Sequence, residues 1–405
     1  MAEKNSSEKT PREPSKWLYF LACLYAKYIY GKKYNIVFDN VQTRGLKGPA
    51  LVLSNHESNR DFLICAAALY PLRLNFMVST YFFHHRLLSW LLRLMGCIPK
   101  RQYLPDAAAV KSVMKAAARG ARVCIFPEGQ VCFSGQSSDI DLSTAKLAKR
   151  LGLPLIIHSI RGNYLTAPKW ARGKQYRGRI ESRTEILYGA EELRSLPLET
   201  VARGIKEALS YDEFVWQRET MAAFKPERRE TAGLETILYR CPACGSDLAM
   251  LARGESLVCE RCGYEVSFNE YGFFKAHEGA PVFDSVSEWY RFELECAARE
   301  YAGSFSFSMP CTLHRTVEGR QGYEPCGAGL MTADERGLHF KGERLKEPFE
   351  LSALVERQSN ITHNASLAAL DIEGPDANYA LRPEDSRAMG KFIVLYLLAA
   401  KRAQG

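Results

Sequence analysis

The stretch ALVLSNHESNRDFLICAAALY, residues 50–70, is apolar at both ends and polar in the middle. Its first four residues are short, bulky and continuous enough to read as a buried strand. From Asp61 onward, DFLICAAALY reads as a helix, stopped by Pro71. Between the two lies SNHESNRD, a polar segment in a setting where loops hold reactive side chains beside a rigid scaffold. A strand that feeds a helix through such a loop is the building unit of an α/β domain.

The same alternation extends outward. Residues 34–39, 75–79, 122–126, 155–160 and 179–188 read as further strands, the third ending at Pro127. Residues 106–119, closed by Gly120, and residues 143–151 and 198–210 read as helices. The expectation is an α/β domain over residues 34–224, a mixed sheet flanked by helices. Ahead of it, residues 1–33 combine a polar start, MAEKNSSEKTPREPSK, with no cleavable apolar core, and the aromatic segment WLYFLACLYAKYIY at 17–30. Crossing a bilayer takes about 20 apolar residues, and this segment is shorter and interrupted by Lys27. Its Trp and Tyr rings suit a membrane interface instead, as does FFHHRLLSWLLRLM at 82–95. Peripheral or monotopic attachment at the cytoplasmic face of a membrane is therefore expected.

Hydrophobic content of 46% and charged content of 25% exclude a mostly disordered or fibrous chain. A net charge of +8 favours anionic partners such as phospholipid headgroups. Four of the twelve cysteines fall into two pairs, Cys241/Cys244 in CPACG and Cys259/Cys262 in CERCG. Two such turns present four thiolates to one tetrahedral ion, so a structural zinc ribbon is expected over residues 236–275. Closed four-cysteine sites are structural, which keeps the zinc out of any chemistry. Cys65, Cys97 and Cys124 lie in apolar runs and read as buried thiols in a reducing cytoplasm. The charged segment KPERRETAGLE, 225–235, reads as a linker.

The candidate chemistry begins with His56 and Asp61, where an imidazole can take a proton and a carboxylate can orient it. The second candidate is FPEG, residues 126–129, at the carboxyl end of a strand, where α/β sheets bind ligands. Asn55, His56 and Asp61 as NHxxxxD, GCIPKR at 96–101, FPEG at 126–129 and GLPLIIHSI at 152–160 follow in one order. In that order they resemble the glycerolipid acyltransferase family, that is, lysophosphatidic acid and glycerol-phosphate acyltransferases. IRGNYLTAPKW at 160–170 is similar to a stretch of bacterial members. The resemblance covers roughly residues 15–220.

It implies an enzyme in which His56 is the general base and Asp61 its partner. Asn55, Glu128 and Gly129 would bind substrate, and Lys100 and Arg101 the acceptor's phosphate. The implied donor is acyl-CoA or an acyl carrier protein, and the implied acceptor is a lysophospholipid such as 1-acylglycerol-3-phosphate, giving phosphatidate. The chain departs from the family after FPEG, where Gln130, Val131 and Cys132 replace a segment that carries a phosphate-binding arginine. Arg161 is the one nearby arginine that could stand in for it, although a surface arginine is the simpler reading. The short strand-like runs beyond Met309, closed by a helix at 386–402, resemble a small β-barrel of the pleckstrin-homology kind, placed at 305–405.

Two other function classes compete. One is a binding or regulatory protein that acts through the zinc ribbon and whose acyltransferase domain is inactive or secondary. The ribbon carries few basic residues and several acids, which argues against nucleic acid as its partner. A serine hydrolase would need a GxSxG elbow, and the chain has none.

Overall fold

The computed structural model describes residues 10–102, 104–320, 322–358, 360–374 and 376–404. The first nine residues of the polar start thus lie outside the described residues. The chain divides into two compact units. One takes in the described residues of Met1–Gln102, Asp106–Thr166 and Arg177–Ala222, and the other those of Tyr103–Pro105, Ala167–Tyr176 and Ala223–Gly405.

The first unit is built on seven strands: β1 Ile36–Asp39, β2 Ala50–Ser54, β3 Leu74–Ser79, β4 Ile98–Lys100, β5 Arg122–Ile125, β6 Leu155–Arg161 and β7 Ile180–Tyr188. Their order across the sheet is β1-β7-β6-β2-β5-β3-β4. All neighbouring pairs are parallel except β6 with β7. The sheet is therefore mixed. Every residue of β2 is buried, which explains its unbroken apolar run: helices cover both faces of a central parallel strand. Leu51, Leu53, Val123, Ile125, Leu155 and Ile157 point into one core, while Val52, Cys124 and Ile156 point into the other. The alternation along each strand follows from the period of two.

The helices end where local chemistry dictates. Asp106 accepts the N–H of Ala109 at 2.9 Å, opening the helix Ala107–Ala118. Asp141 accepts that of Ser143 at 2.7 Å, opening Leu142–Leu151, which stops at the left-handed Gly152. Strand β4, three residues long, was not expected from the sequence, because Pro99 interrupts it. It pairs as an edge strand, where a missing N–H costs nothing.

The N-terminal helix, Lys16 through Lys33 with a wider turn over Tyr25–Tyr30, carries two apolar stripes. Tyr19, Cys23, Ala26 and Tyr30 are buried, while Trp17, Leu21, Leu24, Tyr28 and Ile29 are exposed, Trp17 by 76%. The helix Arg86–Leu94 buries no residue and exposes Leu87, Trp90 and Leu91. No described helix is long and apolar enough to cross a membrane.

The second unit holds two antiparallel sheets. The smaller comprises β8 Met250–Arg253, β9 Ser256–Cys259, β10 Glu265–Phe268 and β11 Phe274–Ala276, paired in sequence. The larger comprises β12 Ser306–Thr316, β13 Tyr323–Asp334, β14 Gly337–Arg344, β15 Glu347–Leu354, β16 Thr362–Asn364, β17 Ala369–Glu373 and β18 Asn378–Pro383. Its order is β15-β14-β13-β12-β18-β17-β16, and the helix Ala388–Gln404 follows it.

Three features differ from the sequence reading. The segment 225–235 is no free linker: Arg229 and Thr231 are buried, and the Arg229 guanidinium lies 4.4 Å from the Tyr176 ring centroid and 5.1 Å from that of Phe224. Aromatic faces that accept a cation turned a charged segment inward. Residues 167–176, assigned by sequence to the first domain, belong to the second unit, where Trp170 stacks on Phe268 at 5.8 Å. A helix at Val286–Glu300 was also unforeseen. Glu293 interrupts its apolar face and is buried there because it accepts the backbone N–H of Arg240 at 2.8 Å.

Candidate active site

The site forms at the carboxyl edge of three adjacent parallel strands. Leu53 of β2 is in register with Ile125 of β5, and Ser54 with His158 of β6. The loops that leave β2, β5 and β6 therefore emerge side by side, although 72 residues separate His56 from Glu128. Parallel sheets collect such loops at the edge where ligands bind.

His56 Nδ1 lies 2.8 Å from Asp61 Oδ2. Asp61 is fully buried and takes two more hydrogen bonds, from the Ser58 N–H at 2.9 Å and the Asn163 side-chain amide at 2.6 Å. Asp61 opens its helix without capping it; its side chain folds back on the loop instead. With Nδ1 facing a carboxylate that already accepts two N–H groups, Nδ1 carries the ring hydrogen and Nε2 keeps its lone pair. Nε2 makes no hydrogen bond among the described residues. The ring is 21% exposed and stacks on Phe126 with centroids 4.4 Å apart. A base oriented by a buried acid, with its other nitrogen open, is the geometry general-base catalysis needs.

Sequence reading missed Asn163, the residue that fixes Asp61. It sits just past β6, and its amide also donates to Ser58 Oγ at 2.8 Å. Gly162 before it has φ +85°, and a Cβ there would lie 2.1 Å from the carbonyl of Arg179. Only glycine permits this approach. The signal was present within IRGNYLTAPKW, but no role attaches to an asparagine until its neighbour is known.

Asn55 and Glu128, expected to contact substrate, each bind backbone groups of the site. Asn55 is fully buried and pairs with both backbone groups of Ile160, donating to its carbonyl at 2.9 Å and accepting its N–H at 2.7 Å. Its side chain thus extends the β2–β6 ladder by one rung and starts the loop in register. Glu128 spends one oxygen on the backbone N–H of His56, at 2.9 Å, and the other on that of Ser138, at 2.8 Å. The carbonyl of His56 accepts the Cys132 N–H at 2.7 Å, so the FPEG loop grips His56 by both backbone groups. Burial pushes the Glu128 carboxyl up to about 8, against the lowering effect of those two N–H donors.

Gly129, at φ +71°, makes the turn that closes FPEG, and its carbonyl accepts the Gln102 side-chain amide at 2.8 Å. Lys100 and Arg101 stand at the carboxyl end of β4, three strands from β2 in the sheet order. At about 4.8 Å per strand, that places them on the order of 14 Å along the same edge. The Arg101 N–H donates to Asp106 at 2.8 Å. Gln130, Val131 and Cys132 are buried, so the segment where an arginine was missed points inward. Arg161 does not replace it as a surface group. It is half-buried over the Tyr211 ring, 4.9 Å from its centroid, and acts on the buried carboxyls of Glu57, Glu128 and Glu213.

In the second unit, the sulfurs of Cys241, Cys244, Cys259 and Cys262 all lie within 4.8 Å of one another. Cys241 and Cys262 sulfurs are 3.7 Å apart, and those of Cys244 and Cys259 are 3.8 Å apart. An ion bound tetrahedrally at about 2.3 Å holds sulfurs about 3.8 Å apart, so the four thiols fit a metal ion. The turns that aim them close through Gly245 N–H to Cys241 carbonyl, 2.9 Å, and Gly263 N–H to Cys259 carbonyl, 3.0 Å. Cys65 and Cys124 are buried in the first unit, and Cys97 is partly buried.

Residues 34–161 match the family model described as Acyltransferase. Among solved structures, the chain is similar to the 1-acyl-sn-glycerophosphate (LPA) acyltransferase PlsC from Thermotoga maritima at 20% identity and a TM-score of 0.39, over 47% of this chain and 80% of that one. It is also similar to the Ran-binding domain of the nuclear complex component Nup2 from Ashbya gossypii at 12% identity and a TM-score of 0.20, over 25% of this chain and 98% of that one. No curated protein matches the chain.

Proposed function

We propose that the acyltransferase domain moves a fatty acyl group from a thioester, acyl-CoA or acyl carrier protein, to a hydroxyl of a lysophospholipid. The acceptor we favour is 1-acylglycerol-3-phosphate, and the product phosphatidate. The observation that carries this reading is the His56–Asp61 pair, 2.8 Å apart, with the opposite ring nitrogen open.

His56 Nε2 takes the proton of the acceptor hydroxyl as its oxygen attacks the thioester carbonyl. Asp61 stabilises the imidazolium that forms, and the buried carboxylate keeps the ring in the tautomer the step requires. The tetrahedral intermediate collapses by losing thiolate, which the imidazolium protonates, so His56 returns to its starting state. A thioester is already activated, so positioning and one base suffice. Lys100 and Arg101 are assigned to the acceptor's phosphate from their place on the same sheet edge.

The exposed apolar stripe of the N-terminal helix supports a membrane-surface location. Trp17, Leu21, Leu24 and Tyr28 face outward, flanked by exposed Lys16, Lys27, Lys32 and Lys33. Apolar rings beside lysines match an anionic lipid interface. Leu87, Trp90 and Leu91, beside Arg86 and Arg93, repeat that composition. In the second unit, the four cysteines are read as a zinc ribbon, in which zinc ties the two turns together. The seven antiparallel strands and closing helix are read as a pleckstrin-homology-like domain.

The test is thiol release from acyl-CoA in mixed micelles with lysophosphatidate, run beside folded His56→Ala. Release that needs both the acceptor and His56 is expected. Full release by the variant would remove the assignment, and silence with every thioester and lyso-acceptor would favour the regulatory reading.

A further inference from the structure

Behind the catalytic loop lie two carboxyls that the mechanism does not use. Glu57, next to His56, is fully buried. Its Oε2 accepts the backbone N–H groups of Asn163 at 2.9 Å and Tyr164 at 3.1 Å, and its Oε1 accepts the Asn55 amide at 3.2 Å. Glu213, the first residue of the helix Glu213–Thr220, is fully buried as well and faces Glu57. Neither of its oxygens has a hydrogen-bond partner of normal geometry, and the groups close enough to act on it are the N–H groups of Gly162 and Leu165 and the Glu57 carboxyl. A buried carboxyl with no donor is costly, and an unscreened pair of carboxylates more so. As two carboxylates, Glu57 and Glu213 have only acceptors to offer each other. A single proton between them supplies the missing donor and removes one charge.

We propose that Glu57 and Glu213 share one proton and act as a positioning pair that holds the His56–Asp61 loop in its working geometry. The three donors on Glu57 support its anionic form when the shared hydrogen sits on Glu213. The connection to the catalytic pair is short. Glu57 holds the backbone of Asn163, whose side chain holds Asp61 at 2.6 Å, which holds His56. If the proton leaves, two like charges push apart at the root of that chain. Glu213 also ties its helix to the FPEG side, since its own N–H donates to the Gly135 carbonyl at 2.8 Å.

The groups around the pair agree with this. Arg161 is the cation acting on both members, and Asp61 repels Glu57. Cys132 and Tyr211 are buried nearby and, held well above their usual ranges by burial, remain neutral. Glu128 adds a third carboxyl to the cluster, within reach of Arg161 and Asp61. Burial pushes both members of the pair upward, Glu213 to about 7. A raised carboxyl contributes stability that is complete below the ordinary carboxyl range and is lost as pH rises through the folded value.

The effect on activity rests on the acyl-transfer reading, whereas the pair itself does not. Full-length wild type and Glu213→Gln, whose amide donates permanently to Glu57, are compared by three readouts. The infrared C=O stretch of a protonated carboxyl should be present in wild type near pH 6 and weaker in the variant. The melting temperature of wild type should fall between about pH 5 and about pH 8, and that of the variant should fall clearly less. The ratio of transfer rate at about pH 8 to that at about pH 6 should be severalfold higher in the variant, with the difference in kcat and not KM. Glu213→Ala, which supplies no donor, should lose transfer at every pH, so that rescue by Gln marks a role beyond filling space. Unchanged infrared intensity or parallel melting profiles would overturn the pair. If Glu213→Gln does not fold, Glu57→Gln is put through the same comparison. If wild type transfers no acyl group, the functional reading falls, while the infrared and melting results still decide the pair.

Discussion

Replacing Asp61 by Asn separates the charge of the catalytic acid from its shape. In the resting site Asp61 Oδ2 lies 2.8 Å from His56 Nδ1, and the carboxylate is fully buried. When His56 takes a proton, a unit positive charge appears beside a unit negative one. With charge centres about 4 Å apart and an effective dielectric near 20, their attraction is about 4 kcal/mol. Asn retains an oxygen that can accept from Nδ1 but supplies no charge, so most of that term disappears from the transition state and little from substrate binding. The expected result is a kcat about 10³-fold lower with KM nearly unchanged. Thiol release in mixed micelles measures it, and thermal unfolding of the same preparation confirms that the variant is folded. A folded Asp61→Asn protein within about tenfold of wild type would refute the reasoning, because the buried carboxylate would then be a scaffold and no part of the proton transfer.

Three further outcomes follow from the same geometry. Asn163→Ala removes a 2.6 Å donor from a buried carboxylate and should cost about 1.5–3 kcal/mol of stability by denaturant unfolding. Combined with Asp61→Asn it should add little further loss of transfer, and additive losses would show that Asn163 acts elsewhere. Purified protein should carry one zinc ion per chain by atomic absorption. Cys259→Ser should lose the zinc and lower the melting temperature, and a metal-free wild type of equal stability would remove the ribbon assignment. Trp17→Ala and Trp90→Ala should each weaken co-sedimentation with anionic vesicles by about tenfold or more, since burying a large apolar side chain contributes about 1.5–3 kcal/mol. Unaltered sedimentation would place those rings against something other than lipid.

What the amino-acid sequence determined by itself was local. The buried run at 50–53 forms a strand, and the apolar run from Asp61 forms a helix, because strand and helix periods are written in neighbouring residues. The two CxxC turns are likewise local, and their sulfurs meet as the spacing implies. His56 and Asp61 lie five positions apart, a spacing that says little alone, and it was the ordered set of motifs around them that marked the two as partners.

Tertiary structure decided which distant segments meet. Strands β2, β5 and β6 are neighbours only because the sheet pairs them, and that pairing brings Glu128 and Asn163 to His56 and Asp61 across 72 and 102 residues. It also gave Asn55 and Glu128 distant backbone groups to hold, since a side chain's task depends on which N–H and C=O groups face it. The buried carboxyls of Glu57 and Glu213 have the same origin: each looks like an ordinary surface acid in the sequence until the fold removes water from around both. Burial is a property of the assembled core, where desolvation rather than residue type sets the charge a group can keep.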